Sequence, residues 1–153
     1  MKILDAMAIS ARTGSVYPEP FRSRVLPREK RALGDAFGLT KIGVNHTILP
    51  PDVESSMRHW HTHEDELIFV LSGELVLRTD SGEQTLLPGM VAGFVSGNGD
   101  AHQFINRGAV PAVYLEISNR DVKDAAAYPD VDLACRRDDE GRYVFSHKDG
   151  SPY

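Results

Sequence analysis

Short apolar runs that end at turn-forming residues dominate the chain between residues 41 and 118. The runs cover residues 42–50, 66–71, 74–78, 83–87, 90–95, 102–106 and 112–117. The breaks include Ser72-Gly73, Pro88-Gly89 and Asn106-Arg107-Gly108, and each can supply a tight turn or a positive φ angle. No apolar period near 3.6 residues persists here, so we do not expect a helical core. The pattern predicts an all-β barrel or sandwich.

The flanking segments differ from this centre. Residues 1–40 contain three prolines and precede the first predicted strand, with a possible short helix at 33–39. They also hold a basic run made of Arg22, Arg24, Arg28, Lys30 and Arg31. We interpret residues 1–40 as an arm on the barrel, whose basic run forms a solvated face. Residues 41–118 would be the barrel core, and residues 119–153 a C-terminal extension packing on it.

Size and charge narrow the functional classes. The 153 residues suit one domain that can bury its own core. A net charge of -5 argues against nucleic-acid binding, and no segment approaches the length of a membrane span. Cys135 is the only cysteine, so no intrachain disulfide can form. We expect a soluble cytoplasmic protein whose partner is a small-molecule ligand, with no nucleic acid and no membrane.

The segment from His59 to Glu66 concentrates potential metal ligands. Residues two apart on a strand share a face and lie about 6.6 Å apart, close enough for His59 and His61 to bind one ion at about 2.1 Å. In an unbroken strand, His63 and Asp65 would share that face and Glu66 would point away. A bend within residues 62–65 would instead bring Glu66 beside the histidine pair. The residues alone leave both ligand sets open.

A later predicted strand carries His102, which would bring a further ligand from a separate segment. Three imidazoles and one carboxylate suit a first-row divalent metal ion such as Fe, Mn, Zn, Ni or Cu. In an octahedral arrangement, four protein ligands leave two positions for water or substrate, so such a site is potentially catalytic.

The segment from His59 to Gly73 resembles the first motif of the cupin superfamily, G-x5-H-x-H-x(3,4)-E-x6-G. Val53 stands where that motif begins with glycine. The second motif, G-x5-P-x-G-x2-H-x3-N, is matched by Gly89, Gly97, His102 and Asn106. Val95 replaces its proline, and two extra residues separate Gly97 from His102.

This resemblance to small single-domain bacterial cupins (cupin 2 type) implies a fold and a ligand set. The fold would be a double-stranded β-helix, a jelly-roll barrel with short N- and C-terminal extensions. The metal ligands would be His59, His61, Glu66 and His102, and His63 would be an outer group. Cupin domains commonly dimerise, so the resemblance also implies a homodimer formed through edge strands or an exchanged N-terminal arm.

The predicted function follows from this metal site. We expect an enzyme acting on a small oxygen-rich substrate that chelates the ion, of dioxygenase or isomerase type. The alternative is a non-catalytic cupin that binds or senses a carbohydrate or an organic acid. No catalytic residue is assigned, although Glu116 and Tyr114 are the nearest candidates for an extra acid or base. The sequence contains no glycine-rich phosphate loop for a nucleotide cofactor.

Overall fold

The computed structural model describes residues 1–153 and consists mainly of antiparallel strands. The helical elements are α1 (Leu33–Phe37) and two 3-10 turns at Ala6–Ala8 and Arg22–Val25. The strands are β1 (Glu29–Ala32), β2 (Ile42–Leu49), β3 (Trp60–His61), β4 (Glu66–Ser72), β5 (Leu75–Thr79), β6 (Gly82–Leu86), β7 (Val91–Phe94), β8 (Gln103–Ile105), β9 (Ala112–Asn119), β10 (Ala125–Ala127), β11 (Ala134–Arg137) and β12 (Tyr143–Ser146).

One wall of the barrel is a five-stranded sheet in the order β1-β2-β9-β4-β7. Alternate residues along its strands face inward, so Leu49, Ile68 and Tyr114 are almost completely buried. The intervening residues of β4 face outward, where Leu67 and Phe69 remain exposed. The inner face of this sheet therefore forms one side of the core.

The opposite wall is built from two smaller sheets, β6-β5-β8 and β12-β11-β10-β3. A bridge between His59 and His102 connects them, because His59 precedes β3 and His102 precedes β8. The core between the walls is apolar and draws on both: Leu49, Val53, Ile68, Val70, Leu75, Leu77, Leu86, Phe104, Ala112 and Tyr114. The predicted all-β class is confirmed, and the arrangement is a jelly-roll double-stranded β-helix.

The turn after β4 shows why glycine is needed at position 73. Gly73 has φ +73°, and a Cβ there would lie 2.6 Å from the carbonyl oxygen of Pro111. A side chain would be both strained and obstructed. The motif from His59 to Gly73 thus ends at a position where the close approach of β4 and β9 requires glycine.

The two flanking segments meet in a second apolar cluster. It joins Tyr17, Phe21 and Val25 of the arm and Met57 of the barrel core to four residues of the extension: Ala126, Tyr128, Leu133 and Cys135. Strand β1 pairs with β2, and β10 pairs with β3. Strands of both flanking segments thus pair with strands of the barrel core, and the division at residues 40 and 118 stays a prediction.

The basic run of the arm differs from the expected solvated face. Arg22 and Arg24 are exposed, but Arg31 is only 9% exposed, and Arg28 and Lys30 line an internal cavity. The pairing of β1 with β2 turns alternate side chains of the run inward. No helix in the structure is both long enough and apolar enough to cross a bilayer.

Candidate metal centre

Four predicted ligand residues meet where the two walls approach each other. His59 and His102 are held side by side by a pair of backbone hydrogen bonds of 3.0 and 2.8 Å. The chain bends at Thr62 and His63 and then enters β4 at Glu66. This bend resets the strand alternation, so Glu66 lies beside His59 and His61.

The imidazole rings of His59 and His61 approach each other closely in this site. Nε2 of His59 and Nε2 of His61 lie 3.2 Å apart. Nδ1 of His59 donates to the carbonyl of Met57 at 2.9 Å, and Nδ1 of His61 donates to Asp124 at 2.7 Å. With Nδ1 of each ring donating, the two Nε2 atoms face each other, and a cation between them would bind to both lone pairs. Nitrogens bound at about 2.1 Å and at right angles on one ion lie about 3.0 Å apart, so this pair fits a metal ion.

The carboxylate of Glu66 completes a compact donor group. The candidate ligand atoms of His59, His61 and Glu66 all lie within 4.8 Å of one another. His102 joins them through Glu66, because its Nε2 lies 2.9 Å from Oε2 of the carboxylate. Phe94 stacks on the His102 ring at 3.6 Å between centroids and fixes its plane. Nδ1 of His102 is buried without a hydrogen-bond partner, so the contact with the ionised Glu66 carboxylate places the ring proton on Nε2 in this structure.

The electrostatics of the group suit a cation. Burial, reinforced by the charges of His102 and His61, lowers the pKa of His59 to about 3, so this ring is neutral near pH 7. Burial alone would raise the pKa of Glu66, but the hydrogen bond from His102 and the three nearby imidazoles lower it to about 2. Glu66 is therefore an ionised carboxylate beside a neutral imidazole, which is the donor set that a divalent ion requires.

His61 is held by a buried carboxylate that the sequence analysis missed. Burial lowers the pKa of His61, but its hydrogen bond to Asp124 and the charge of Glu66 outweigh burial and raise it overall. Asp124 also accepts hydrogen bonds from the backbone N–H groups of His63 at 2.9 Å and Glu64 at 3.2 Å. Its side chain is completely buried. No spacing signal links Asp124 to the histidines, because it lies in the C-terminal extension.

A second group of candidate ligands, His61, Glu64 and Asp124, also clusters within 4.8 Å. Its carboxylates already have partners: Glu64 accepts from Arg137 at 2.8 Å and from the backbone N–H of Asp121 at 3.0 Å. We therefore interpret this second group as support for the bend and for His61 rather than as another ion site.

The remaining residues that the sequence analysis considered lie in different parts of the fold. His63 and Asp65 are exposed and lie outside the donor group. Tyr114 is buried in the core, whereas Glu116 lines the same cavity as the histidines. Burial raises the pKa of the Cys135 thiol to about 12, so this cysteine is unreactive near neutral pH.

The loop before His102 is tied to the end of β3 despite its two extra residues. Gly97 has φ +74°, and its backbone N–H donates to the carbonyl of His61 at 2.8 Å. The Asn106 side chain is completely buried and donates to the carbonyls of Leu49 at 2.8 Å and Val110 at 2.9 Å. The second motif therefore contributes loop geometry and barrel closure in addition to His102.

The donor group opens into a cavity of about 200 Å³. A cavity of this size suits a small molecule. Its walls include Tyr17, Arg28 and Lys30 from the arm, and Tyr128 and Phe145 from the extension. The Tyr128 ring stacks on His59 with 5.6 Å between ring centroids. The arm and the extension thus enclose the chamber above the donor group.

Comparisons with known proteins agree with this architecture. Residues 45–118 match the family model described as a cupin domain. A sugar phosphate isomerase from a cupin superfamily of Silicibacter pomeroyi is 41% identical, with a TM-score of 0.94, over 99% of this chain and 96% of that one. A putative sugar phosphate isomerase from Acidithiobacillus ferrooxidans is 29% identical, with a TM-score of 0.73, over 82% of this chain and 80% of that one.

A curated relative shares a shorter region. The tetracenomycin polyketide synthase protein TcmJ of Streptomyces glaucescens is 38% identical over 82 residues, which cover 53% of each chain. The matched region thus spans about half the length of this curated relative. The similarity to the cupin of Silicibacter pomeroyi extends over nearly the whole of both chains. The protein is therefore a member of the cupin superfamily.

Proposed function

We propose that the protein is a metal-dependent enzyme that isomerises a small oxygen-rich substrate. The observation that carries this proposal is the pair of Nε2 atoms 3.2 Å apart beside an ionised carboxylate, all open to a small cavity. The 41% identical protein of Silicibacter pomeroyi, a sugar phosphate isomerase, supports the same proposal.

The metal would be a first-row divalent ion held by His59, His61, Glu66 and His102. Such an ion, when bound, acts as a Lewis acid that polarises a chelated carbonyl group. Iron, manganese, zinc, nickel and copper all accept this combination of nitrogen and oxygen donors. The rings of Phe94 and Tyr128 pack against His102 and His59, which keeps these two donors in place.

Glu116 is the residue that would transfer the proton. It lines the cavity and faces inward from β9, opposite Ile68. Ser118, two residues along β9, pairs with Glu66, so Glu116 and Glu66 are diagonal neighbours about 7–8 Å apart on the same face. Lys30 holds the Glu116 carboxylate at 2.6 Å. A substrate that chelates the ion through its carbonyl group would meet the Glu116 base at the carbon next to that carbonyl.

The reaction balances without an oxidant. The carboxylate of Glu116 would remove a proton from the carbon next to the substrate carbonyl, which leaves an enediolate. The same carboxylate returns the proton to the former carbonyl carbon, while the hydroxyl proton moves to the other oxygen. The presence of a carboxylate base in the cavity favours isomerisation over the dioxygenase reaction, which would need molecular oxygen.

The test combines elemental analysis with isomerisation in heavy water. Untagged protein should contain about one divalent ion per chain and should convert at least one aldose phosphate of three to six carbons to its ketose. Nuclear magnetic resonance should show solvent deuterium at the carbon next to the carbonyl. Glu116→Gln should retain the metal and lose turnover. Oxygen uptake with substrate would instead favour a dioxygenase, and saturable binding without product would favour the non-catalytic alternative.

We also propose a homodimer that uses the outer face of the five-stranded sheet. Leu67, Phe69 and Leu71 of β4 are 41%, 36% and 41% exposed, and Val91 of the adjacent β7 is 56% exposed. Apolar patches of this kind mark interaction surfaces. Sedimentation at micromolar concentration should give twice the 16.9 kDa chain mass, and Phe69→Asp should give the monomer. A wild-type monomer would contradict this assembly.

A further inference from the structure

The charged groups of the cavity are paired, with one exception. Five charged side chains line it: Arg28, Lys30, Glu64, Glu66 and Glu116. Each carboxylate has a cationic or imidazole partner: Glu116 pairs with Lys30 at 2.6 Å, Glu66 with His102 at 2.9 Å and Glu64 with Arg137 at 2.8 Å. Arg28 has no carboxylate within salt-bridge distance. It is therefore the one formal charge of the lining that lacks an opposite charge.

The position of Arg28 is fixed by the backbone rather than by an acid. Its Nη1 donates to the carbonyl of Ser55, and the neighbouring Ser56 hydroxyl lies 3.3 Å from Nδ1 of His59. Arg28 thus lies near the His59 side of the cavity. A guanidinium has five N–H donors, so one bond to a carbonyl leaves donors that can form a planar fork toward an oxyanion.

A second arginine without a carboxylate partner lies beside the cavity. An adjoining polar cavity of about 430 Å³ shares Asn45, Glu64, Ser118 and Tyr143 with the first. Among its arginines, Arg120 pairs with Asp35 and Arg137 with Glu64, whereas Arg12 has no carboxylate partner. Asp121 also lines this adjoining cavity without a cationic partner, so the formal charges there balance. The unpaired positive charge that faces the donor group is therefore that of Arg28, and an unpaired guanidinium favours an anionic ligand.

We propose that Arg28 of the N-terminal arm binds an anionic group of the substrate, either a phosphate or a carboxylate. Arg28 would hold the charged end, while the donor group around His59 would bind the oxygen-rich end. The arm would thereby determine substrate specificity, since its guanidinium is the feature that separates charged from neutral polyols. This assignment rests on the proposed function in that the ligand is the substrate of the metal site.

The experiment compares three related three-carbon ligands by isothermal titration calorimetry on the metal-containing full chain. Glycerol is neutral, glycerol 3-phosphate carries a phosphate and glycerate carries a carboxylate. At least one anion should bind about tenfold more tightly than glycerol, and which anion does so identifies the anionic group. Arg28→Gln should remove this preference, with affinity for that anion falling at least about tenfold. Arg22→Gln, which makes the same charge change on the exposed part of the arm, should leave the preference intact.

Two further readouts keep the test decisive. The metal content of each variant is measured, so that a loss of the ion is not mistaken for a loss of anion binding. If Arg28→Gln does not fold, Arg28→Lys keeps the charge without the planar fork and should still weaken anion binding relative to glycerol. Equal anion affinity in the folded Arg28 variants and the wild type overturns the proposal, as does a wild type that binds neither anion better than glycerol. Because no turnover is needed, a missing isomerase reaction would count against the proposed function alone.

Discussion

Asp124 accepts a hydrogen bond of 2.7 Å from Nδ1 of His61, although the two residues are 63 positions apart in the chain. The contact orients the ring and holds its proton on Nδ1, so Nε2 faces the other donors. A carboxylate behind a histidine ligand raises the basicity of that ligand and fixes its tautomer. The C-terminal extension thus reaches the proposed metal centre through one buried side chain.

Removing this carboxylate should weaken the metal site. We expect Asp124→Asn to lower metal affinity by about 10- to 100-fold, because an amide cannot accept from His61 and from both backbone N–H groups as the carboxylate does. Competition with a chromogenic chelator measures the change. Asp139→Asn, an exposed neutralisation in the same extension, is the matched control. Equal metal affinity in Asp124→Asn and wild type would show that this contact does not tune the site.

The ligand assignment itself predicts a contrast between neighbouring histidines. His61→Ala or His102→Ala should lose most of the bound metal, whereas His63→Ala should retain it, because His63 is exposed and lies outside the donor group. Elemental analysis of the purified variants checks this expectation. The reverse pattern would reject the assignment and favour the ligand set that contains His63.

Replacing Asn106 should lower the stability of the fold rather than the affinity for metal. Asn106→Ala would leave the carbonyls of Leu49 and Val110 without their donors inside the barrel. We expect the free energy of unfolding to fall by about 2–4 kcal/mol, since each unsatisfied buried polar group costs about 1–3 kcal/mol. Urea unfolding measures the change, with the exposed Asn98→Ala as control. A loss below about 0.5 kcal/mol would mean that water replaces the side chain.

A carboxylate away from the metal centre should give a measurable pH dependence. The hydrogen bonds from Arg58 to Asp130, 2.7 and 2.8 Å long, lower the pKa of Asp130 below its usual 3.8. A depressed carboxyl pKa contributes stability above pH 3.8, and this contribution is lost as the pH falls through the lower folded-state value. Asp130→Asn should therefore destabilise the protein at pH 7, and its difference from wild type should shrink below pH 3.8. Urea unfolding at several pH values tests this, and a constant difference would contradict it.

Several parts of this protein follow from local sequence alone. Short apolar runs separated by turn formers predicted the all-β class, because strand propensity and positive φ angles at glycines depend on neighbouring residues. The close spacing of His59, His61 and Glu66 indicated the candidate ligands, but parity alone could not select between Glu66 and the pair of His63 and Asp65. Only the resemblance to the cupin motifs favoured Glu66.

The tertiary structure decided the rest. The bend at residues 62 and 63 turns Glu66 toward the histidines, and the pairing of β1 with β2 turns Arg28 and Lys30 from an expected solvated face into the cavity. Asp124 reaches His61 only because β10 pairs with β3. These contacts depend on the register between distant segments, which is set by the packing of the whole barrel and leaves no periodic pattern in the local sequence.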